Sequence, residues 1–121
     1  MRFATKNETT MKIAVPLFKD RVSPYFGVSS EILVVEMKDG RITYRGVIDT
    51  GTRGPWPIAR RLVLLGANKL VCGGIQLVHK QWLTRNGIRV VDNQKGLAEE
   101  FVTEMIESDF AHGHEQTLTK T

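Results

Sequence analysis

Residues 11–27 read MKIAVPLFKDRVSPYFG, and this stretch decides the fold. Its first half, residues 12–18 (KIAVPLF), is a short and mostly apolar run. Such a run suits a central strand covered on both faces. Its second half is a basic loop that ends Ser23-Pro24-Tyr25-Phe26-Gly27. Two aromatics between a proline and a glycine are poorly placed for full burial. Loops held by a rigid scaffold are where binding residues concentrate.

Working outward, residues 31–38 (EILVVEMK) form a second strand, and Asp39-Gly40 is a hairpin signal. Residues 41–49 (RITYRGVID) follow as a third strand, with Ile42 and Tyr44 expected on one face of the pleat. Residues 50–57 (TGTRGPWP) read as a flexible Gly/Pro-rich connection. A helix is predicted from near Pro57, a residue tolerated in a first turn. Ile58, Leu62 and Leu65 lie at helical spacing, Arg60 and Arg61 face outward, and Gly66 closes it. Residues 69–72 make a short strand, and Gly73-Gly74 leads into a second helix over residues 75–86. Ile75, Val78, Trp82 and Leu83 form its expected buried stripe. Asn86-Gly87 stops it, residues 88–91 are the last strand, and residues 95–107 are a third helix burying Leu97, Phe101, Val102 and Met105. The order β-β-β-α-β-α-β-α predicts an α/β domain with a mixed five-stranded sheet and helices on both faces. Its βα crossovers are expected to be right-handed.

A length of 121 residues corresponds to one domain with room for a real core. Residues 1–10 (MRFATKNETT) lack the apolar segment of a signal peptide and read as a disordered extension. The domain proper spans residues 11–107, and residues 108–121 form a polar tail. No apolar run reaches the length of a bilayer span, so no membrane association is expected. Cys72 is the sole cysteine and has no disulfide partner within the chain, which fits a reducing cytoplasm. The net charge of +4 is spread along the chain and not gathered into a run. It predicts a solvated basic surface and no nucleic-acid patch.

Three landmarks stand together: MKIAVP opening a strand, RVSPYFG directly after it, and VCGGI at residues 71–75. With these, residues 11–107 resemble the dinitrogenase iron-molybdenum cofactor biosynthesis family, the NifX-type proteins related to carriers of nitrogenase cofactor precursors. The resemblance implies a ribonuclease H-like domain. It implies a non-catalytic carrier that binds an iron-molybdenum cofactor or an iron-sulfur precursor and exchanges it with donor and acceptor assembly proteins. One departure matters. Many relatives carry S-P-H-F-G where this chain has Tyr25, and imidazole is a far commoner metal ligand than phenol.

The candidate site residues each have a bland alternative. Arg21, Ser23, the Tyr25 hydroxyl and the loop amides suit an anionic ligand such as a sulfide-bearing cluster. Alternatively, Pro24 and Gly27 only shape a turn and Phe26 plugs the end of the sheet. Cys72 stands at the carboxyl end of a central strand, where open α/β sheets bind ligands. Its thiolate is a potential metal ligand, but a lone cysteine is equally a small buried hydrophobe. Gly73-Gly74-Ile75 opens a helix as anion sites do, without a G-x-G-x-x-G or a Walker lysine; a tight strand-to-helix turn explains it as well. Thr50, Thr52 and Arg53 offer further anion contacts. His79 is a second potential metal ligand or a hydrogen-bonded boundary histidine. His112 and His114 alternate through a glycine in the tail, a weak two-ligand metal arrangement.

Two-metal nucleases need converging carboxylates, the first on the first strand. That strand has none here, and Glu31, Glu36 and Asp49 are dispersed over the next two. No nucleophile-elbow, zincin or P-loop motif occurs. The chain is therefore not expected to be an enzyme, and a metal-dependent hydrolase is the least supported reading. Besides the carrier, the alternative is a metal-free regulatory or interaction domain binding a small anion, a nucleotide or a protein. A monomer or a weak homodimer is compatible with the exposed sheet edges.

Overall fold

The computed structural model describes residues 10–107. The expected N-terminal extension, apart from Thr10, and the expected tail with His112 and His114 lie outside the described residues.

The chain runs β1 (Thr10–Phe18), β2 (Arg21–Val22), β3 (Glu31–Lys38), β4 (Arg41–Asp49), α1 (Pro55–Leu64), β5 (Lys69–Val71), α2 (Leu77–Arg85), β6 (Arg89–Val91) and a final helix α3 over residues 98–107. The sheet order is β4-β3-β1-β5-β6, with β2 paired to β1. β1 pairs antiparallel with β3 and parallel with β5, and β5 pairs parallel with β6. The carboxyl ends of β1, β5 and β6 therefore share one edge of the sheet. No described helix is long and apolar enough to cross a membrane.

Side-chain alternation in the central strands builds two cores. Ile13, Val15 and Leu17 of β1 and Leu33, Val35 and Met37 of β3 face Ala98 and Val102 of α3. Ala14, Ile32 and Val34 face the other way, onto Ile58, Ala59 and Leu62 of α1 and Leu83 of α2. Both layers of helix are needed because β1 and β3 are apolar on both faces. Burial of side chains such as Ile58 and Leu62, both fully enclosed, stabilises by about 1.5–3 kcal/mol each.

The structure corrects the sequence reading at five points. The sheet has six strands, because the chain reverses at Lys19-Asp20, with Lys19 at φ 59, and pairs Arg21 with Phe18. A register shift between Glu36 and Met37 pairs Tyr44 with Glu36 and Ile42 with Met37. This bulge sends Ile42 and Tyr44 to opposite faces rather than one. α1 starts at Pro55, not Pro57, after Gly54 at a positive φ of 103°. In α2 the buried residues are His79 and Leu83, while Val78 is half exposed. α3 begins at residue 98 and not at Lys95, leaving residues 92–97 as a loop.

Candidate functional site

Three loops leave the shared carboxyl edge and knit together through backbone hydrogen bonds. Ser23 N–H donates to the Pro16 carbonyl at 2.9 Å, turning the first loop back over the end of β1. Gly74 N–H donates to the Pro24 carbonyl at 2.7 Å, and Phe26 N–H donates to the Gly74 carbonyl at 2.8 Å. Tyr25 and Gly74 thus form a parallel bridge just beyond β5. The third loop joins through Asn93 N–H to the Gly73 carbonyl at 2.9 Å and Gln94 N–H to the Cys72 carbonyl at 3.0 Å. Val22 N–H donates to the Gly96 carbonyl, also at 2.9 Å.

This knitting needs glycine at one position above all. A Cβ on Gly73 would lie 2.3 Å from the Pro24 oxygen and 2.5 Å from the Ser23 oxygen. The first loop can settle on the second only because Gly73 presents bare backbone.

Between the loops runs a groove of about 420 Å³. Its floor is Gly73-Gly74, Tyr25 and Pro24 stand on one side, and Asn93 to Gly96 stand on the other. Arg21 and Lys95 are its charged residues, and none of its lining residues is acidic. Across the Tyr25–Gly74 bridge lies a second pocket of about 410 Å³, walled by Tyr25, Phe26, Pro55, Ile75, Gln76 and His79. A third hollow of about 580 Å³ has mixed charge, with Lys19 and Arg53 beside Glu31 and Asp49. There the Gly51 N–H, followed by Ser30, holds the Asp49 carboxyl below its ordinary value.

The predicted site residues divide into lining and framework. Arg21, Tyr25, Gly73 and Gly74 line the first groove. Tyr25 is 67 % exposed, as its place between proline and glycine predicts. Ser23 is buried, and its hydroxyl donates to the Tyr25 carbonyl at 3.2 Å. Contrary to the expectation that both loop aromatics escape full burial, Phe26 is buried and packs into the core on the α1 side of the sheet while reaching the second pocket. Gly27, at φ 98, sits against the Pro55 backbone, so it sets the approach of the loop to α1. Thr50 is buried and its hydroxyl, 3.1 Å from both the Ser30 and Thr52 carbonyl oxygens, shares its one proton between them, so the connection before α1 is hydrogen-bonded. Of that group only Arg53 lines a hollow, the third one.

Cys72 and His79 are not brought to the first groove. Cys72 is 1 % exposed among Ala14, Leu70 and Leu83 and lines none of the three hollows. Burial pushes its thiol up to about 12; Asp92 adds to the rise and Lys80 opposes it. A thiol so placed is held protonated, and ligation would require the core to open. His79 lines the second pocket, its ring edge-on to Trp56 with centroids 4.6 Å apart. Among the described residues, no group of three or more His, Cys, Asp or Glu is placed to hold a metal ion.

Sequence reasoning missed Asn93, Gln94, Lys95 and Gly96 as groove residues by assigning Lys95 to a helix. The signal was present. Asp92-Asn93-Gln94-Lys95-Gly96 is turn-rich, and Asn93 and Gly96 both adopt positive φ, at 60° and 114°.

Comparison with solved structures places this architecture among known relatives. The chain superposes on PH0822 with a TM-score of 0.74 and 22% identity, over 81% of this chain and 92% of that one. For MJ0327 from Methanocaldococcus jannaschii the TM-score is 0.66 at 18% identity, over 84% and 92%. For the apo form of the orange protein from Desulfovibrio gigas it is 0.64 at 23% identity, over 82% and 89%. At these identities the likeness concerns the fold. No curated protein matches the sequence significantly. The family profile described as dinitrogenase iron-molybdenum cofactor matches residues 10–108, the whole of the sheet and its helices. The chain belongs to the dinitrogenase iron-molybdenum cofactor family.

Proposed function

We propose that this protein is a non-catalytic carrier that holds an anionic metal–sulfur cluster, the iron-molybdenum cofactor or a precursor of it, in the groove between Arg21 and Lys95. The carrying observation is the character of that groove: two cationic side chains, a bare Gly73-Gly74 floor and no acidic lining residue. Family membership supports cofactor handling as the setting. Arg21 and Lys95 supply positive field, and an arginine fork suits an anion with several acceptors. The cluster is cargo, held by charge and hydrogen bonds with few or no protein bonds to metal. Cys72 stays outside this contact set because of its burial. The sheet order β4-β3-β1-β5-β6 supports the ribonuclease H-like reading of the fold. In this reading the protein works in the cytoplasm and passes its cargo between donor and acceptor assembly proteins.

The test is anaerobic incubation with an isolated iron-molybdenum-sulfur cluster, followed by desalting, absorption spectroscopy and metal analysis. Wild type should emerge coloured with metal bound, and the Arg21→Ala, Lys95→Ala double variant should retain much less. A colourless, metal-free wild-type protein would end the carrier reading. The same groove would then be read as a site for a metal-free small anion or nucleotide.

A further inference from the structure

β4 is one margin of the sheet, and among the described residues no strand pairs with its outer side. The other margin, β6, is only three residues long. Between Tyr44 and Asp49 the pairing of β4 with β3 is regular, from Glu36 opposite Tyr44 to Glu31 opposite Asp49. The ladder runs one pair further, where Thr50 N–H donates to the Ser30 carbonyl at 2.9 Å. Hydrogen-bonded and non-hydrogen-bonded pairs alternate along an antiparallel ladder. Gly46 and Ile48 therefore bond to β3, and the N–H and C=O groups of Arg45, Val47 and Asp49 point outward. The far side of β3 requires the same alternation. There the Pro16 carbonyl, opposite Ile32, turns away from β3 to accept from Ser23, so Ile32 directs its own backbone groups to β4. The outward groups of β4 have no hydrogen-bond partner among the described residues.

This margin lacks the usual protection. Edge strands are commonly blunted by lysine, proline or a bulge. Residues 44–49 (YRGVID) contain neither lysine nor proline, and the register shift of β4 lies beyond Tyr44. Arg45 and Val47 stand opposite Val35 and Leu33, which belong to the core under α3, so their side chains share that face of the sheet. Arg45 is ion-paired there with Glu99, while Val47 is 56 % exposed.

We propose that β4 pairs antiparallel with β4 of a second copy of this chain, in the symmetric register that sets Val47 opposite the partner's Val47 and Arg45 opposite the partner's Asp49. Neighbouring registers that use the same outward groups set Arg45 against Arg45 or Val47, or Val47 against Asp49. Among these, the proposed register brings opposite charges together, twice, around an apolar centre, and such cross-strand pairs stabilise a sheet. The two-fold axis through the valine pair makes the contact self-complementary and closes it at a dimer. This surface does not rest on the carrier reading.

The experiment follows mass and backbone exchange of the full chain as concentration is raised. In sedimentation velocity, wild type should pass from single chain to dimer between about 1 μM and about 1 mM. Over the same range, amide hydrogen exchange at Arg45, Val47 and Asp49 should slow, whereas Gly46 and Ile48, bonded to β3 throughout, should not change. Val47→Pro removes the central outward N–H and should abolish the dimer. The fold should survive, because proline is tolerated on an edge strand where the N–H faces solvent. Arg45→Asp and Asp49→Arg should each weaken association several-fold, and the two together should restore it. A single chain at every concentration would overturn the proposal and leave the edge to a strand of a different protein. Exchange independent of concentration, undiminished association of Val47→Pro, or no recovery in the double charge swap would overturn it as well.

Discussion

Gly73 lies so close to the Pro24 carbonyl that a Cβ there would stand 2.3 Å from its oxygen. This approach holds the Tyr25 loop on the end of the sheet, where Gly74 N–H then reaches the same carbonyl at 2.7 Å. Gly73→Ala must push the two backbones apart. We expect a loss of about 1–3 kcal/mol in urea denaturation, typical of overpacking. Ligand retention in the groove should fall with it. A variant as stable as wild type would show that the loops are free to separate.

Tyr25 is the reverse case, a largely exposed residue that lines both the groove and the second pocket. Tyr25→Ala should leave the denaturation midpoint nearly unchanged, within about 0.5 kcal/mol, and reduce cluster retention. Tyr25→His places imidazole where many relatives are expected to carry it. Metal analysis after cluster loading should show more metal in that variant than in wild type. Equal metal in both would mean that the loop position contributes no ligand.

Arg21 and Lys95 flank a groove open to solvent, so their attraction for an anion is subject to screening. Cluster affinity of wild type should therefore fall as salt rises from about 0.01 to about 1 M, where the Debye length shrinks from about 30 to about 3 Å. In the Arg21→Ala, Lys95→Ala double variant the salt dependence should flatten. A salt-independent wild-type affinity would point instead to direct metal–protein bonds.

The Cys72 thiol is raised from 9.0 to about 12, chiefly by burial. Between these values the unfolded chain has lost the thiol proton and the folded chain keeps it. Stability must then decline as pH rises from about 9 towards about 12, and this contribution is fully present below that window. Cys72→Ala should show a shallower alkaline decline in thermal melts, at the expense of a small cavity. In the native protein the thiol should also resist alkylation at pH 8 until denaturant is added. Fast alkylation of the folded protein would mean that this core opens readily.

Much of the fold was legible because β1 and β3 are apolar on both faces. Ile13, Val15 and Leu17 alternate with Ala14 in sequence as they do between the two cores. The Ser23–Gly27 loop was legible only in part: Tyr25 is exposed as expected, whereas Phe26, expected to escape full burial with it, is buried in the core beside Ile58 and Ala59. The bulge opposite Glu36 and Met37 was not legible. Strand propensity says nothing about a one-residue slip that is set by the partner strand.

Within the site, the sequence by itself determined the family resemblance, the charge and the glycine floor at Gly73-Gly74. Tertiary structure alone decided what faces that floor. Lys95 reaches the groove because α3 starts at residue 98, after Ala98 N–H has bonded the Asp20 carbonyl. His79 is inside and Val78 half outside because Trp56, brought over from α1, offers the imidazole a ring to pack on. Cys72 lies at the expected sheet edge but points into the core, among Leu70 and Leu83. Local pattern records which residues favour burial, whereas the direction and partner of each side chain depend on neighbours distant in the chain.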